Sequence, residues 1–124
     1  VARLVRPFAV VVSLTLASVV LASCGAGGAI ADARHSCVNV KRALALQHQS
    51  EQPGLSSKQQ TVLQAKALSR LLKATPSAAA ATSADGTWNP LMTTINEAER
   101  VPLVDLVASL TRMCKVADSK TPYL

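Results

Sequence analysis

Three cysteines, two histidines and one close pair of carboxylates are the residues of this chain whose types and spacing could carry chemistry. A metal site built from Cys37, Cys114, His35 and His48 would need four ligands to converge, and the sequence offers no close C-x-x-C or H-x-x-x-H element to start one. Glu97 and Glu99 could imitate an acid–base pair beside Arg100, but residues two apart on a helix point to different faces, so they read as a solvated helix end. His48 falls near the end of an expected helix, where a cationic or polar ring complements the dipole, and His35 lies beside a small-residue stretch as a solvent-exposed side chain. There is no nucleophile–base–acid pattern, phosphate-cradling glycine loop, zinc-protease helix or calcium loop. The expectation is a non-enzymatic chain without cofactor or metal.

Cys24 has a different setting. Arg3 and Arg6 precede an uncharged run from Phe8 to Leu21, the n-region and h-region of an export signal. The run is shorter than the roughly 20 apolar residues that span a bilayer. It ends in Leu21-Ala22-Ser23-Cys24 followed by Gly25, which resembles the bacterial lipobox, where the cysteine sulfur takes a diacylglyceryl group and the chain is cut before it. The resemblance implies a signal peptide over 1–23, lipidation with palmitate-type acyl chains at Cys24, and a cell-membrane anchor on the extracytoplasmic face. A second reading is cleavage after Ala31-Asp32-Ala33, which leaves a secreted chain beginning at Arg34. Val1 in place of Met, with the Ala-rich composition, suggests an alternative start codon in a GC-rich bacterium.

Export bears on the other two cysteines. In an oxidising compartment an even pair in a small domain is expected to bridge, so Cys37 and Cys114 are assigned as a disulfide. About a hundred residues follow the signal, enough for one domain, and only Trp88 and Tyr123 are aromatic there. The formal net charge is +6, and Lys58, Lys66, Arg70 and Lys73 concentrate positive charge on one helix. That bias could favour anionic headgroups near an anchor but lacks the density of a nucleic-acid site.

The elements that must position these residues read as helices throughout. Residues 24–35, rich in Gly and Ala, read as a flexible spacer, and 36–124 as the helical domain. Ser36 is a plausible N-cap for a helix to about Gln49 with Cys37, Val40 and Leu44 on one side, and Pro53-Gly54 breaks the chain. Ser56 and Gln59 form a capping-box pattern before a helix presenting Val62, Ala65, Leu68, Leu71 and Leu72, which stops before Pro76. Ser77–Ala81 is either one extra turn or compact loop. Trp88, Leu91, Met92, Ile95 and Ala98 mark a third helix, and Pro102 opens a fourth with Leu103, Leu106, Val107, Leu110, Met113 and Cys114 on one stripe. No segment alternates with period two long enough for a strand. The expected fold is all-α, a small up-down four-helix bundle closed by one disulfide, because antiparallel succession brings Cys37 and Cys114 to the same end.

The signal, the short spacer, Ser36-Cys37-Val38-Asn39 and the closing Arg112-Met113-Cys114 resemble small actinobacterial, mycobacterial-type cell-envelope lipoproteins. The resemblance implies location and carries no assigned active site. The expectation is a membrane-tethered structural or protein-binding module that presents a helical surface to an envelope partner. The alternative is an apolar-ligand or lipid-binding protein in which Trp88 and Met92 line a groove; their default reading is core.

Overall fold

The computed structural model describes residues 26–124, and Cys24 with the rest of the expected signal lies outside them. Five α-helices and a short 3₁₀ turn follow in order: α1 Ala26–Ser50, α2 Ser57–Leu72, α3 Thr75–Ala84, the 3₁₀ turn Gly86–Trp88, α4 Asn89–Glu97 and α5 Leu103–Ala117. Among the described residues there is no strand.

The helix ends follow local chemistry. Gly54 takes φ +88°, a left-handed conformation that favours glycine, and turns the chain out of α1. Ser56 Oγ then accepts from the Gln59 amide at 3.2 Å while Gln59 Oε1 accepts from the Ser56 amide at 2.8 Å, the reciprocal capping box. Pro76 lacks the N–H that would bond to the Leu72 carbonyl, so the ladder breaks there. Lys73 and Ala74 nevertheless keep right-handed helical backbone, and α3 starts at once with Pro76 in its first turn. Asp85 caps the 3₁₀ turn by accepting from the Thr87 amide at 3.0 Å. Asp105 in the first turn of α5 complements the dipole.

Two sequence expectations need correction. The stretch read as a spacer, 24–35, is helical from Ala26 onward: Ser36 is no N-cap but a buried residue within α1, and Ala29 and Ala33 before it are fully buried. The reason is packing. Ala29, Ala33, Ser36, Val40, Ala43, Gln47 and Ser50 are all buried at alternating steps of four and three, a heptad-like seam of mostly small side chains. Opposite them α2 and α3 bury Ala67, Leu71, Ala74, Ala78 and Ala81 at the same steps. Both α2 and α3 pack on α1, and Ser36 Oγ donates to the Ala74 carbonyl at 3.1 Å across the seam. The second correction concerns α2, where the buried line runs through Ala67 and Leu71, so that Val62 and Ala65 are exposed rather than inward. The Ser77–Ala81 stretch belongs to α3.

The other half of the core is built from larger side chains. Trp88, Leu91, Ile95 and Leu110 are fully buried, with Leu103 and Met113 nearly so. Here α4 packs on α3 and α5, and α5 on α1. The Cys37–Cys114 disulfide joins α1 to α5 with Cα atoms 5.4 Å apart, as the sequence reading expected. Arg34 adds to that join: its Nε donates to the Ala117 carbonyl at 2.8 Å and its Nη2 to the Ser119 carbonyl at 3.2 Å, meeting acceptors left free at the end of α5. Lys41 pairs with Asp118 beside them.

Candidate functional site

The residues singled out by type do not converge. His35 is exposed, and His48, in the last turn of α1, is also exposed, with Gln52 Nε2 3.2 Å from its Nε2. Glu97 pairs with Arg100 at the solvated end of α4, apart from Glu99. Among the described residues no group of three or more His, Cys, Asp or Glu side chains is arranged to hold a metal ion. Cys37 and Cys114 are bridged, and both are buried, at 0% and 2% exposure. Trp88 is fully buried as the largest core side chain and Met92 packs half-buried against that core. The Trp88 indole N–H has no hydrogen-bond partner, the one buried side-chain nitrogen or oxygen in that state among the described residues. Leaving it unpaired costs about 1–3 kcal/mol, which the burial of the ring must outweigh.

Among the described residues, two of the surface clefts lie on either side of α2, while a further one of about 580 Å³ lies between α1 and α5 beside Leu44 and Thr111. One, of about 340 Å³, opens between α2 and the α4–α5 turn; Leu68, Ala98, Val101 and Leu103 make its walls and Gln47 its polar edge. It exists because α2 packs on α1 and meets α4 only sparsely. The second, of about 620 Å³, lies between α1 and α2, with Leu46, Val62 and Ala65 as its apolar part and Lys66, Ser69, Arg70 and Lys73 around them. Trp88 and Met92 line neither.

Charge is distributed as unevenly as shape. Between residues 26 and 124 there are eleven Lys or Arg and seven Asp or Glu, and the four cations Lys58, Lys66, Arg70 and Lys73 account for the whole surplus. No acid occurs from Ser56 to Ala84. The two ion pairs among the described residues, Lys41–Asp118 and Arg100–Glu97, use none of these four. The sequence reading noticed the cations and missed the groove, because it placed Val62 and Ala65 inward. The signal that could have found it is the heptad spacing of Ala67, Leu71, Ala74, Ala78 and Ala81, which fixes the rotation of α2.

The chain matches no known protein family, no curated protein and no solved structure.

Proposed function

We propose that the protein is a membrane-tethered, non-catalytic structural or protein-binding lipoprotein of the bacterial cell envelope, held by lipid on Cys24. The observation that carries this reading is the start of α1. A chain cut before Arg34 would lose Ala29 and Ala33, two fully buried members of the small-residue seam, together with the first turns of α1. A chain cut before Cys24 keeps every seam position. The small-x-small site at Ala31–Ala33 is therefore inside a packed helix, and the lipobox-like Cys24 is the processing site that leaves the domain whole. The buried disulfide supports the same compartment, since such bridges persist outside the reducing cytosol. No described helix is long and apolar enough to cross a membrane.

The helical domain suits a binding role in an arrangement where α1, the α2–α3 pair, α4 and α5 succeed one another up and down around one core. The packing of neighbouring pairs and the α1–α5 bridge support that closed bundle. An apolar ligand in the 340 Å³ cleft is the second reading, favoured by its Leu68, Val101 and Leu103 walls.

Mass measurement of the processed protein in the membrane fraction tests the first reading. The expected product begins at lipid-modified Cys24, and Cys24→Ala blocks its formation. An unmodified chain beginning at Arg34 would contradict it.

A further inference from the structure

We infer that the cation-bordered groove between α1 and α2 is a docking site for an acidic amphipathic helix of a partner protein. The inference deepens the reading of the domain as a binding module and rests on it. Lys58, Val62, Lys66, Ser69, Arg70 and Lys73 fall within about 120° of the α2 circumference, so four cations and an exposed apolar residue share one face. Lys66 and Arg70 at i,i+4, and Arg70 and Lys73 at i,i+3, are like-charged neighbours that weaken a helix, and Lys58 in the first turn opposes the dipole. Arg70 in the last turn and Lys73 at the C-cap complement the dipole, but among the described residues no carboxylate pairs with any of the four, and one Arg70 N–H reaches Asn39 Oδ1 at 3.4 Å. Four cations gathered on one face with no carboxylate paired to them among the described residues are complementary in charge to an acidic partner.

Shape selects the kind of partner. Lys66, Arg70 and Lys73 border a shallow strip whose apolar part is Leu46, Val62 and Ala65, and a strip flanked by one charge sign fits a helix with a small apolar ridge and carboxylates beside it. Steps of four and three between Lys66, Arg70 and Lys73 match carboxylates at i, i+4 and i+7 on such a helix. Surface helices that enter bilayers rely on Trp, Phe or Leu at the tip, whereas the exposed apolar residue on this face is Val62, 45% exposed.

The test uses the purified full chain in zwitterionic detergent and a fluorescent peptide of about 18 residues, helical, with glutamates at i, i+4 and i+7 beside an Ala/Leu ridge. Anisotropy should show binding that Lys66→Gln, Arg70→Gln and Lys73→Gln together weaken about tenfold, each exposed ion pair contributing roughly a two- to threefold change. The same number of neutralised cations on α5 and the tail, Arg112→Gln, Lys115→Gln and Lys120→Gln, should leave binding unchanged. Equal affinity of the wild type and the α2 variant would overturn the inference. So would α2-dependent binding to vesicles containing phosphatidylglycerol that the peptide does not displace, which would make the ligand a membrane. Sedimentation showing a salt-sensitive oligomer abolished by the α2 substitutions would likewise overturn it in favour of a second copy, whose Glu97, Glu99 and Asp105 supply the acids. Native capture of one envelope protein by wild type and α2 variant alike would overturn the groove while leaving the binding-module reading intact.

Discussion

The two halves of the core solve the same packing problem in opposite ways. Where α1 meets α2 and α3, small residues predominate: Ala29, Ala33, Ala43, Ala67, Ala74, Ala78 and Ala81 with Ser36 and Ser50 outnumber Val40, Gln47 and Leu71, so the helices are held largely by what is missing from the side chains. Small residues let two backbones approach, and the many weak contacts that follow replace large buried areas. Where α4 and α5 close the other side, Trp88, Leu91, Ile95, Leu110 and Met113 fill the volume directly. The difference teaches that stability here depends on small size in one region and on bulk in the other, so the same kind of substitution should have opposite consequences in the two.

The largest effect is expected at Trp88. Trp88→Ala should cost about 3–5 kcal/mol through lost burial and an incompletely closed cavity. Chemical denaturation of the disulfide-intact protein measures this, and a loss under about 1 kcal/mol would remove the bulk-dependent half of the comparison. Trp88→Phe should cost less, because it also deletes the unpaired indole N–H.

The bridge joins the two halves, linking the seam helix α1 to α5. It closes a loop with a sequence separation of 77, for which loop-closure entropy gives roughly 4 kcal/mol, lowered by any residual structure in the unfolded chain. Replacing Cys37 and Cys114 by Ser should lower the melting temperature by more than about 10 °C, since about 1 kcal/mol moves a domain of this size by 4–8 °C. Native and reduced wild type provide the control, as the serines place two hydroxyls in a buried site. A change of only a few degrees would mean that the packing of α5 on α1 and α4 holds without the link.

Enlarging the seam gives the smallest expected stability effect and the sharpest contrast. Ala78→Leu puts a branched side chain between α3 and α1 and should cost about 1–3 kcal/mol by overpacking. Ala80→Leu, on the exposed side of the same helix, should change stability by less than about 0.5 kcal/mol. Equal effects would show that the seam has room and is not a close helix contact.

The contrast also explains how much was legible in the sequence. The bulky half was readable: the spacing of Trp88, Leu91, Ile95 and Ala98, and of Leu103, Leu110, Met113 and Cys114, matches the buried faces of α4 and α5. The Ser56–Gln59 box and the cysteine pairing were readable too, because each depends on specific residues with few alternative uses. The seam was not. Alanine, serine and glycine serve equally in a spacer, a loop or a close helix contact, and hydrophobic periodicity weights them little, so residues 26–35 and Ser77–Ala81 gave no clear helical stripe. The groove was lost for the same reason, since the rotation of α2 is set by Ala67, Ala74 and their neighbours rather than by Val62.

The central claim is that α1 begins at Ala26 and is packed from Ala29 onward, so that residues 26–35 belong to the folded domain. Hydrogen–deuterium exchange of the full chain, read over residues 30–36, tests this most directly. Helical amides packed along the α1 seam should exchange many-fold more slowly than an unstructured peptide, with protection comparable to that of residues 37–44 of the same helix. Exchange at the unprotected rate up to Ser36, with protection beginning only there, would contradict the account and restore the flexible spacer.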